Sequence, residues 1–219
     1  MAVPSRAMTS DLDLRERREL CDLFERVGPD APTLSGEWTT QDLAAHLVVR
    51  ERDLIGSPGI LIPWFSGITE KRMEHQIRRH GYQGLVDLVR SGPPFGPMAI
   101  PPVRHLANLV EFFVHHEDVR RPAGEGPRTD RPDLDDELWS MLGRMAPLMV
   151  RKAGVSGVRL VLHRTDGREH AVGKGTDVVI SGEPGELVLE LYGRRSVAQV
   201  AYDGPDDAVA RVQAAEFGI

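Results

Sequence analysis

The chain has 219 residues, roughly 1.5 times an average domain, so one large domain or two small ones are expected. With 41% hydrophobic and 27% charged residues the composition is that of a globular protein, and with only 5% aromatics the cores must be built from Leu, Val, Ile, Ala and Met. The 27 basic and 33 acidic residues leave a net charge of −6, which disfavours a general binder of nucleic-acid backbones, since that role needs a basic face. The single cysteine, Cys21, excludes an internal disulfide and any multi-cysteine metal site. No apolar run approaches the roughly 20 residues that span a bilayer, and Met1 to Asp13 lack a basic segment followed by an apolar stretch. The expected location is the cytoplasm, with no membrane partner.

The first two-thirds read as helices. Ser10 can cap a segment that runs to Val27, with Leu12, Leu20, Leu23, Phe24 and Val27 as its apolar stripe, and Gly28-Pro29 ends it. After a loop rich in Pro, Gly and Ser, Trp38-Thr39-Thr40-Gln41-Asp42 has the form of a helix start, with Thr39 or Thr40 as cap. That helix carries Leu43, His46, Leu47, Arg50 and Leu54 and stops near Gly56-Ser57-Pro58-Gly59. Thr69 to His80 and a stretch around Leu85, Leu88 and Val89 follow, split by Gly81. Ser91 to Pro102 is too rich in proline for regular structure, and Pro102 suits the first turn of a long helix ending near Arg121-Pro122. Asp133 to Lys152 is a further helix, with Leu134, Leu138, Leu142 and Met145 on one face and a possible kink at Pro147.

At Ala153-Gly154 the period changes. Val158, Leu160 and Leu162 alternate as in a strand, Thr165-Asp166-Gly167-Arg168 suits a hairpin turn, and Glu169 to Gly173 and Asp177 to Ile180 read as two more strands. Pro184 to Tyr192 and Asp203 to Ala215 read as helices. The expected fold is mainly α: a helical bundle over residues 1–152, then a small α+β domain over 153–219.

Chemical content concentrates between Asn108 and Arg121. Glu111 and His115 are four residues apart, which on a helix puts a carboxylate and an imidazole on one face within reach of one metal ion. The flanking Phe112, Phe113 and Val114 point to a buried face, where a carboxylate needs a partner or a metal to offset its desolvation. The spacing alone also fits a surface ion pair. The adjacent His116 must point elsewhere and reads as a supporting or surface group. His46 lies on the apolar side of its helix with Leu43 and Leu47. Taken alone it reads as a core histidine, but beside the Glu111–His115 helix it becomes a third ligand. Three such ligands leave coordination positions open, the pattern of a catalytic rather than a structural site. Asp42, in the first turn, is the better cap.

The run Trp38 to Leu47 resembles the signature that opens the second helix of the DinB-like four-helix-bundle superfamily, and within it the metal-binding domain of mycothiol-dependent maleylpyruvate isomerases. The Glu111-x-x-x-His115 run is similar to that family's second metal motif, and Ser181 to Arg194 to the Pro, Glu-Leu, Gly-Arg pattern of its second domain. The resemblance implies one divalent ion, usually zinc, held by His46, Glu111 and His115. It also implies mycothiol as thiol cosubstrate and a functional arginine at Arg194, acting in catalysis and cofactor binding, with Arg195 as an adjacent rival.

An ion held by two imidazoles and one carboxylate keeps a net positive charge and can hold a thiolate. Cys21, among Leu20, Leu23 and Phe24, reads as core, so the thiol comes from outside. The expected activity is addition or transfer of mycothiol to a small electrophile, as isomerase or transferase. The alternative is a non-catalytic module that binds metal or thiol conjugates. Metal-activated hydrolysis ranks last and would need Glu117 or Asp118 as an inward-facing base. Arg120, Arg121, Arg128 and Arg131 cluster locally and read as a solvated connection rather than a nucleic-acid site. His163 and His170, on neighbouring strands, are expected at the surface.

Overall fold

A computed structural model describes residues 11–52, 66–96 and 99–217. Ser10 and the expected helix end at Gly56–Gly59 lie outside the described residues. The chain divides into two compact units, Met1–Gly126 and Pro127–Ile219.

Among the described residues, the first unit holds four helices: α1 (Leu12–Val27), α2 (Thr40–Arg52), α3 (Ser66–Ser91) and α4 (Pro101–Arg120). Helix α1 packs on α3 and α4, and α2 packs on α3. Their starts and stops follow local chemistry. At the head of α2, Thr39 is the cap residue, and Asp42 in the first turn reaches back to it: Asp42 Oδ2 accepts the Thr39 backbone N–H at 2.9 Å and the Thr39 hydroxyl at 2.8 Å. Gly28, at φ 82°, ends α1 while its N–H still donates to the Phe24 carbonyl. Helix α3 breaks at Gly81, whose φ 62° and ψ 176° are open in practice only to glycine, as the split in the sequence pattern predicts. Pro101 and Pro102 open α4, where a missing N–H costs nothing.

The core joins Leu20 and Phe24 of α1, Leu43 and Leu47 of α2, Val86 and Val89 of α3, and Phe112 and Val119 of α4. Helix α2 is buried without interruption from Leu43 to Val49, and α4 from Phe112 to Val119. Both stretches are buried on every side although they carry polar residues, which must therefore be satisfied within the protein. Arg17 does this for Glu51: its Nη1 donates to Glu51 Oε2 and to the Val89 carbonyl, both at 2.6 Å, with the guanidinium lying over the Phe112 ring.

The second unit is α5 (Pro132–Lys152), β1 (Val158–Arg164), β2 (Glu169–Gly173), β3 (Thr176–Gly182), α6 (Pro184–Leu191), β4 (Ala201–Asp203) and α7 (Asp206–Ala214). The sheet order is β2-β1-β3-β4, with β1 antiparallel to β2 and parallel to β3, and β3 antiparallel to β4. Together the two units are a four-helix bundle followed by a small α+β part, which is the expected fold class.

Helix α5, assigned from the sequence to the helical segment 1–152, packs on α6 and β2 and lies in the second compact unit, which begins at Pro127. Trp139 of α5 stacks on the His170 ring of β2 at 4.2 Å, and His170 Nε2 lies 3.1 Å from the Trp139 carbonyl. Register places His170 opposite Leu162 and His163 opposite Glu169, so the two histidines face opposite sides of the sheet. His170 is half-buried against α5 rather than at the surface. Strand β4 is three residues long and has no counterpart in the sequence expectations.

Candidate metal centre

His46 enters from the middle of α2, and Glu111 and His115 from successive turns of α4. Their potential ligand atoms all lie within 4.8 Å of one another. Glu111 Oε1 is 3.3 Å from His46 Nε2 and 3.1 Å from His115 Nε2, and the imidazole rings meet edge to face at 5.2 Å. Ligands about 2.1 Å from a common ion in a tetrahedron stand about 3.4 Å from one another, so the donor spacing fits a divalent cation, and the two-nitrogen, one-oxygen set suits zinc or a neighbouring transition metal.

Surrounding groups hold these donors in place. Asp118 Oδ2, one turn beyond His115, lies 2.9 Å from His115 Nδ1 and also accepts the Ser35 hydroxyl at 3.0 Å. The Asp118 carbonyl in turn accepts the Leu34 N–H, which ties the 30s loop to α4. A carboxylate on Nδ1 directs the Nε2 lone pair outward, the usual support of a ligating imidazole. Arg50, four residues after His46, places Nε 3.1 Å from Glu111 Oε1 and donates to Asn108 Oδ1 and the Ala107 carbonyl at 2.5 and 2.6 Å. Trp38 sits against the His46 ring at 5.1 Å, and His46 Nδ1 is buried with no hydrogen-bond partner among the described residues, whereas Nε2 lies 3.3 Å from Glu111 Oε1.

The electrostatics differ for the two imidazoles. Burial depresses the His46 pKa despite the Glu111 hydrogen bond, which keeps this ring neutral. Burial would do the same to His115, but the Asp118 and Glu111 carboxylates outweigh it and push it up to about 9. Burial works against ionised Glu111, yet Arg50 and the two imidazoles hold its carboxyl well below the usual range. A cation entering among these donors replaces a proton at His115.

Other sequence expectations resolve differently. His116 is buried, with Nδ1 3.4 Å from Glu16 Oε2, and is not a surface group. Glu117 does face inward but is bound by Arg120 at 2.6 Å and Arg121 at 2.5 Å, so it is no free base, and those two arginines are internal ion-pair partners rather than a solvated cluster. Cys21 is fully buried and its thiol is pushed up to about 12 by burial, as a core residue should be.

In the second unit, Arg194 Nη1 donates to the Tyr192 carbonyl at 2.7 Å. Arg195 is committed to Glu190 at 2.6 Å, to the Val212 and Gln213 carbonyls, and to the face of Phe217. Sequence reasoning missed Asp118 and Arg50 as supporting residues, although they lie three and four positions from a candidate ligand, and Ser35, in a loop, carried no signal at all.

Two solved structures share this architecture. The crystal structure of the mycothiol-dependent maleylpyruvate isomerase aligns with a TM-score of 0.55 over 90% of this chain and 92% of its own, at 16% identity. The chain has the fold of that isomerase. A histidine-to-alanine variant of the same enzyme aligns at 0.53 with the same coverage and identity. No family model and no curated protein sequence matches the chain. Among the described residues, no helix is long and apolar enough to cross a membrane.

Proposed function

We propose that the chain is a cytoplasmic, metal-dependent enzyme that adds or transfers a low-molecular-weight thiol, mycothiol, to a small electrophile, by isomerase or transferase chemistry. The observation that carries this reading is the convergence of His46, Glu111 and His115 from two helices, in a fold shared with an enzyme whose name states mycothiol dependence. These three residues would hold one divalent ion, with zinc as the simplest choice for two imidazoles and a carboxylate. Bound there, the ion supplies the positive charge that lowers a thiol's pKa and favours the thiolate.

The chain's own groups do the rest. Asp118 and Ser35 fix the His115 ring, while Arg50 fixes Glu111 and adds a second positive charge beside the site, which favours an anionic thiol or acceptor. Cys21 cannot supply the nucleophile, since it is buried and held protonated. Arg194 is proposed as the catalytic and cofactor-binding arginine on the strength of the Gly-Arg motif, a guanidinium being suited to carboxylate-bearing molecules. The net charge of −6 and the internal pairing of Arg120 and Arg121 favour small molecules over nucleic acid or membrane as partners.

The test is mycothiol consumption by zinc-loaded protein across a panel of small electrophiles. Expected is turnover that needs the metal and falls at least about 100-fold in His46→Ala. Absence of metal-dependent consumption with every electrophile contradicts the enzymatic reading, and mycothiol binding without turnover would make the chain a binding module instead.

A further inference from the structure

We propose a second divalent-cation site in the same bundle, built from Glu16 and Glu19 of α1 and His116 of α4. Consecutive residues on a helix project about 100° apart, so His115 and His116 cannot serve one ion. His115 turns to α2 and the first site, and His116 turns to α1. Glu16 and Glu19 are three residues apart on α1, hence on one face, and that face meets α4.

The donor atoms of the three side chains lie within 4.8 Å of one another, with Glu16 fully buried, His116 6% exposed and Glu19 half-buried. Glu16 Oε2 and His116 Nδ1 stand 3.4 Å apart. The two are hydrogen-bonded at this distance, and it equals the spacing of about 3.4 Å between two tetrahedral ligands of one ion. Two carboxylates and an imidazole balance a divalent charge fully and form a more oxygen-rich set than the first site, suited to Zn²⁺, Fe²⁺ or Mn²⁺. An ion here ties α1 to α4 and leaves the His46 site untouched.

The inference does not rest on the proposed activity, and zinc stoichiometry of the full-length, chelator-treated protein separates the two. At free zinc just sufficient to saturate the wild type, the expected content is two ions per chain, one in His46→Ala, one in Glu19→Gln and none in the double variant. Glu16→Gln should repeat the Glu19→Gln loss, and zinc should still raise the Tm of His46→Ala but not of the double variant. Unchanged stoichiometry in both Glu19→Gln and Glu16→Gln, or no zinc in His46→Ala, overturns the second site. One ion in the wild type and in His46→Ala, lost in Glu19→Gln, would support the second site while removing the first.

Discussion

Three positively polarised groups converge on a single oxygen, Glu111 Oε1: His46 at 3.3 Å, His115 at 3.1 Å and Arg50 at 3.1 Å. One imidazole, His115, lies four residues from Glu111 and the other, His46, comes from a neighbouring helix, which is why spacing and motif together expose them in the sequence. Their supports are harder to read. Asp118 sits at a helical offset that any surface aspartate could occupy, and only the fold reveals that its carboxylate meets His115 Nδ1 rather than solvent. Replacing Asp118 by Asn keeps the shape but removes the charge that orients the ring. Zinc affinity should fall by roughly 10- to 100-fold, as competitive titration with a chromophoric chelator would measure. An unchanged affinity would show that His115 needs no such support.

Between elements, two devices stand out. Gly81 lets α3 break where it must, and a Cβ there would meet nothing within 4 Å, so the cost of Gly81→Ala lies entirely in the backbone. Urea denaturation should show a loss of about 1–3 kcal/mol; a loss near zero would mean that the break can move along the helix. Glycine between two helical patterns is a signal visible in sequence, which is why this break was anticipated.

The contact of α1 with α4 at Asp13 was not, because its partners lie about ninety residues away: Arg104 Nε at 2.6 Å and His105 Nδ1 at 3.4 Å. Burial tends to raise the Asp13 pKa, but hydrogen bonds from His105 and Arg104 outweigh this and hold its carboxyl below its ordinary 3.8. A carboxyl whose folded pKa is depressed stabilises the fold above its unfolded pKa, and that contribution disappears as pH falls through the folded value. Stability should therefore drop on acidification below about pH 4, and Asp13→Asn should flatten that part of the profile. Urea midpoints measured as a function of pH check this, and a variant as acid-sensitive as the wild type would exclude Asp13 as a source.

At the scale of the molecule, periodicity identified the long helices of the described residues and the change to strands near residue 154. It could not say which surface α5 would cover. Its stripe of Leu134, Leu138 and Leu142 would serve a bundle or a sheet equally well, and the deciding contact is Trp139 on His170, thirty-one residues further along the chain. Strand β4 escaped because three residues carry no period. The fold thus follows from local patterns, whereas the candidate site needs two helices brought together, and its chemistry needs an ion. Anomalous diffraction at the zinc edge from crystals of the zinc-loaded protein addresses that point directly. The account predicts a peak about 2.1 Å from His46 Nε2, His115 Nε2 and a Glu111 oxygen. A map with no peak among those three side chains, at full zinc loading of the protein, would contradict it.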